Sequence, residues 1–194
     1  MINKQEVIKA VIEKNGCIEQ IDMIHEEFGE FMQAINKVKR MGGMLEGETI
    51  AKPHKETSVK YSLMYFGLCA EVADVKIMLS QLEFMMCSDI DEYITSFSPK
   101  SVTVIKNYLQ VEIGNILSCL NTIILNGGIN ENNISKPDSL NFRGVYNTAY
   151  NQLQKSITNF KYLLSEFENH LDKEAIAISE ERKLIRLKNR IEAK

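Results

Sequence analysis

Four acids in two pairs have the types and spacing to hold a divalent cation. Glu27 and Glu30 lie three residues apart in Ile24-His25-Glu26-Glu27-Phe28-Gly29-Glu30-Phe31. Glu71 and Asp74 repeat that spacing in Ala70-Glu71-Val72-Ala73-Asp74. On a helix, residues three apart leave one face about a turn apart. Like charges at this spacing weaken an isolated helix slightly, and two such pairs brought together repel strongly unless a cation sits between them. An oxygen-only set without His or Cys suits a hard ion, Mg²⁺ or Mn²⁺. The second pair is embedded among Leu68, Ala70, Val72, Ala73, Val75, Ile77, Met78 and Leu79. There an unpaired charge is costly.

Helices must position these acids, and apolar residues recur at helical spacing almost throughout. Val7, Ile8, Val11 and Ile12 predict a short first helix that stops near Asn15-Gly16. A second is predicted from about residue 18 to 40, with Ile21, Ile24, Phe28, Phe31, Ile35 and Val38 as its apolar stripe. Gly42-Gly43 ends it, and a polar stretch continues to about Thr57. A third helix is expected over roughly 58–87, and a loop over 89–98. Ser98-Pro99 has the residue types of an N-cap and first helical position for a fourth helix reaching about Leu125. Gly127-Gly128 and the Asn-rich stretch 130–141 follow as a loop, then a fifth helix over about 145–171 and a sixth over about 173–192. No segment alternates with period two. The expectation is a single all-α domain over residues 1–194, a bundle of five to six helices. Leu68 to Val75 also resembles Leu109 to Ile116, with Glu112 and Asn115 standing where Glu71 and Asp74 stand.

Composition narrows the classes. The formal net charge of −3 leaves no basic footprint for nucleic acid, and the charged run from Glu180 to Arg190 mixes both signs and reads as a solvated face. Cys17, Cys69, Cys87 and Cys119 form no C-x-x-C pair, so a disulfide framework and a zinc knuckle are not expected and a cytoplasmic setting is. No apolar run reaches the roughly 20 residues of a membrane span, and no membrane partner is expected. A carboxylate-bridged di-iron centre needs Glu-x-x-His on core helices. His25, His54 and His170 each lack a Glu three residues before them.

The pattern Glu27-Phe28-Gly29-Glu30 followed by Glu71-Val72-Ala73-Asp74 resembles the signature of the all-α nucleoside triphosphate pyrophosphohydrolases, the MazG-like and dimeric dUTPase superfamily. Gln20-Ile21-Asp22-Met23, Ala34-Ile35-Asn36-Lys37 and Val75 to Leu82 are similar to flanking segments of phage and bacterial MazG-like members, and the tail Glu181 to Ile191 is similar to their C-terminal segment. The resemblance implies a MazG-like core over about 18–87 with a C-terminal helix over about 173–192. Residues 88–172 then form an insertion, and the stretch from Glu30 to Glu71 is longer than in compact members.

The resemblance also implies a reaction: Mg²⁺-dependent hydrolysis of a nucleoside triphosphate to the monophosphate and pyrophosphate, by a homodimer or higher homo-oligomer. Metal on Glu27, Glu30, Glu71 and Asp74 would neutralise phosphate oxygens and activate a water for in-line attack. Glu26, about 100° around the helix from Glu27, is a candidate outer base. Helical steps of three, four and seven extend the acid face to Gln20 and Lys37 on one helix and to Lys60 and Gln81 on the other. Antiparallel packing would gather the lysines at one end, for the outer phosphates, and the glutamines at the other, for the base. The alternative from a different class is a catalytically silent helical interaction or regulatory protein that keeps the fold.

Overall fold

A computed structural model of the chain describes residues 3–45, 48–87, 99, 101–135 and 144–193. Among the described residues there are five helices: α1 (Lys4–Arg40), α2 (Val59–Met85), α3 (Val102–Leu125), α4 (Val145–Glu168) and α5 (Lys173–Glu192). The all-α bundle expected from periodicity is the one observed. Gly16 takes φ 81°, ψ 163° inside α1, so two helical segments meet there, at the predicted stop. Only glycine enters that region without a steric cost.

Residues 42–57 contain something the sequence did not suggest. β1 (Met44–Leu45) pairs antiparallel with β2 (Thr49–Ile50), and the Tyr61 hydroxyl donates to the Ala51 carbonyl at 2.6 Å, fixing the exit of this hairpin. Two-residue strands are too short for alternation to register. Buried Ile50 joins them to the core. The start of α3 also differs: Ser101, not Ser98, occupies the N-cap position, and Pro99 lies ahead of the helix. Both serines are capping residue types, so type alone could not choose between them. Ser98, the loop over 89–98 and residues 136–141 of the Asn-rich stretch fall outside the described residues.

Helix α1 packs mainly on α2 and α3 mainly on α4, while α5 lies against α2 and α1. The α1 stripe Ile21, Ile24, Phe28, Phe31, Ile35 and Val38, advancing by threes and fours, is wholly buried. Phe28 meets Phe160 with ring centroids 5.2 Å apart, and Phe31 meets Phe167 edge-on at 5.8 Å. These contacts join the two helix pairs into one core directly behind the acids at 27 and 30. Phe160→Ala is therefore expected to destabilise the fold by about 3–5 kcal/mol, read as a lower urea midpoint at unchanged m-value.

By length and composition α3 could cross a membrane, with mean hydropathy 1.3, which departs from the expectation that no run approaches that length. One face of it packs in the bundle: Ile105, Leu109, Ile116, Leu120 and Ile123 are buried, and Glu112 accepts from the Asn159 amide of α4, while Val104, Val111 and Leu125 are exposed. Helix α5 is different in kind, with only Ile176 and Leu184 buried. Ion pairs do much of its docking: Glu180 lies 2.6 Å from Lys4 and 3.7 Å from Lys76, and Lys183 reaches into the acid cluster.

Candidate metal centre

Buried Phe28 and Phe31 fix the rotation of α1, and this sets Glu27 and Glu30 toward α2. There Glu27, Glu30 and Glu71 each offer one carboxylate oxygen, all within 4.8 Å of one another. Glu27 is 4% exposed, Glu71 half-buried and Glu30 exposed. Such a graded site has a closed floor and one open side. Asp74 stands beside this trio rather than inside it: the Lys183 ammonium contacts Asp74 Oδ1 at 3.0 Å and Glu27 Oε1 at 3.1 Å.

Two oxygens decide what the cluster lacks. Glu27 Oε2 and Glu71 Oε2 are buried and have no hydrogen-bond partner among the described residues. Leaving such an acceptor unsatisfied costs roughly 1–3 kcal/mol, and more when it is charged. Contrast Glu112 on α3, which has the same three-residue spacing to Asn115. Its Oε2 accepts from the Asn115 amide at 3.2 Å and its Oε1 from the Asn159 amide at 2.9 Å. Amides satisfy both oxygens of that carboxylate, whereas Glu27 has only the Lys183 ammonium on Oε1, and the Oε2 atoms of Glu27 and Glu71 have no partner among the described residues. The donor set fits a hard divalent cation held by Glu27, Glu30 and Glu71, with Asp74 in reach if Lys183 withdraws.

The electrostatics agree. Burial, then the charges of Glu30, Asp74 and Glu27, push the Glu71 carboxyl up from 4.5 to about 7 against the opposing pull of Lys183. Burial likewise holds Glu27 above the usual carboxylate range, despite Lys183. For Lys183 burial alone would lower the ammonium, but the bonds and charges of Asp74 and Glu27 outweigh it and raise it. A carboxyl raised on folding contributes stability at low pH and loses it as pH climbs through about 7, where the acid must ionise. A cation needs that ionised form. Mg²⁺ affinity should therefore rise roughly tenfold from pH 6 to pH 8, measured as the Mg²⁺-induced shift in Tm at each pH. Equal shifts would mean Glu71 does not bind as the carboxylate.

The remaining sequence candidates separate by burial. Glu26, Lys37 and Lys60 are exposed. Glu27 near Asp74, and Glu30 near Glu71, set an antiparallel register that carries Gln20 level with Gln81. Both glutamines are buried, and neither Gln81 Oε1 nor Gln81 Nε2 has a hydrogen-bond partner among the described residues. Each lies about two turns along its helix from the nearest acid, enclosed rather than on an open face. Lys183 is a site residue that the sequence motif does not reveal. The solvated face expected for residues 180–190 turns inward at this residue, whose side chain is 19% exposed. Its signal is the spacing Ser179, Arg182, Lys183, Arg186, which lines one side of α5.

No family model, curated protein or solved structure matches this chain. The functional reading rests on the acids and their surroundings.

Proposed function

We propose that the protein is a Mg²⁺-dependent nucleoside triphosphate pyrophosphohydrolase, with Mn²⁺ as a substitute ion, releasing pyrophosphate from NTPs or dNTPs. The observation that supports it most is the pair of orphaned buried oxygens, Glu27 Oε2 and Glu71 Oε2, within a convergent glutamate trio. A divalent cation bound there supplies charge neutralisation for phosphate oxygens and an acidified water. Glu27 and Glu71, held by buried helices, give the ion a fixed seat; exposed Glu30 closes it from the solvent side. Asp74 and Lys183 sit at the margin, where an ammonium 3.0 Å from a carboxylate can give way to other charges. Glu26 lies on the exposed side, where a proton can leave.

The test is a panel of NTPs and dNTPs with Mg²⁺, scored for pyrophosphate release. Release above the background of a metal-free reaction supports the enzyme; none from any nucleotide sinks it. The second reading, a catalytically silent interaction protein, is favoured by one feature. Val59, Leu63 and Phe66 form an exposed apolar stripe on α2, a surface suited to a partner.

A further inference from the structure

Beside the acids, a cleft of about 540 Å³ opens between α2 and α5, lined by Ala70, Asp74, Ser179, Arg182, Ile185 and Arg186. We propose that this cleft is a polyphosphate-binding subsite in which Arg182 and Arg186 hold the outer phosphates of the substrate chain. The inference rests on the pyrophosphohydrolase reading and deepens it.

The chemistry of the lining argues for an anion. Arg182 and Arg186 are one helical turn apart, so their stems start about 6 Å from each other on one side of α5. Two guanidinium forks at that spacing suit neighbouring phosphates on one chain better than a single small anion. Ser179, three residues before Arg182, adds a hydroxyl to the same stripe. Both arginines are exposed, and neither has a carboxylate within ion-pair distance among the described residues.

The acids around the cleft are, by contrast, engaged. Asp74 is bonded to Lys183, and Glu180 to Lys4 and Lys76. The cleft therefore presents two guanidinium groups with no ion pair of their own beside a single lining carboxylate, Asp74, which is already bonded to Lys183. Its position completes the case, because Asp74 belongs both to the cleft wall and to the acid group. A chain with its outer phosphates on the arginines thus runs directly toward the glutamate trio. Lys37 and Lys60, the phosphate ligands expected from the sequence, stand about two and three turns from the nearest acid on their own helices. Arg186 lies one turn from Lys183, which touches two of the acids.

Two probes separate this subsite from the metal centre in the full-length protein. Mn²⁺ alone, followed by electron paramagnetic resonance, reports the acids. Inorganic tripolyphosphate with Mg²⁺, followed by calorimetry, reports the cleft. R182A/R186A should bind Mn²⁺ like wild type and tripolyphosphate roughly tenfold more weakly or worse, with R182K/R186K between the two. Equal tripolyphosphate affinity in wild type and R182A/R186A, or none in wild type, overturns the subsite and leaves the metal centre standing. Failure of wild type to bind Mn²⁺ overturns the metal centre instead. The subsite is then decided by tripolyphosphate in EDTA, where loss in R182A/R186A supports it and parity removes it.

Discussion

Glu71→Gln is expected to lose pyrophosphate release by at least 10²–10³-fold while making the metal-free protein more stable. The two effects share one cause. Glu71 lies where burial and three neighbouring acids oppose its ionisation, and only Lys183 favours it. A neutral amide of the same shape removes that opposition. At pH 8 the gain should be about 1–2 kcal/mol, a figure discounted for the solvent that reaches a half-buried group. The amide also lacks the charge that a hard cation requires, and loss of a charge-stabilising ion costs several kcal/mol at the transition state. The check is a thermal melt in EDTA beside a turnover assay with Mg²⁺. A carboxylate kept only for folding would give the reverse, a lower Tm in EDTA with turnover untouched.

The acids were legible in the sequence because a three-residue spacing survives any detail of packing. Glu27 and Glu30 on one helix must share a side, and so must Glu71 and Asp74. Burial was legible for the same reason: the stripe from Ile21 to Val38 leaves no other face of α1 for the core. What α5 does was not legible. Its buried apolar residues are only Ile176 and Leu184, so periodicity carries little signal, and a run of mixed charges looks alike whether solvated or docked. The division of the four acids into a trio and a Lys183-bound Asp74 depends on where that helix lands. So does the cleft on which the proposal of Arg182 and Arg186 as phosphate ligands rests. Gln81 shows a related limit. Helical spacing placed it in line with the acids, but its full burial follows from α2 contacting α1, α4 and α5 together.

Lys183→Met gives the complementary expected result: lower stability without metal and tighter metal binding. Methionine keeps most of the stem that packs beside α2 but removes the ammonium bonded to Glu27 Oε1 and Asp74 Oδ1. Removing one partner of a buried ion pair costs roughly 3–5 kcal/mol. With the Lys183 side chain 19% exposed, a loss of about 1–3 kcal/mol is expected after solvent screening. The sign for metal is opposite, because the ammonium occupies Glu27, one of the trio, and holds Asp74 apart from it. With the ammonium gone, Asp74 is free to join the glutamate trio, and Mn²⁺ should bind roughly tenfold more tightly. Saturating Mg²⁺ should then recover most of the lost Tm, since a ligand bound only by the folded state stabilises it by mass action. If K183M instead bound Mn²⁺ more weakly than wild type, Lys183 would be an organiser of the acids rather than their internal counter-ion. The metal seat would then need α5 docked to exist at all.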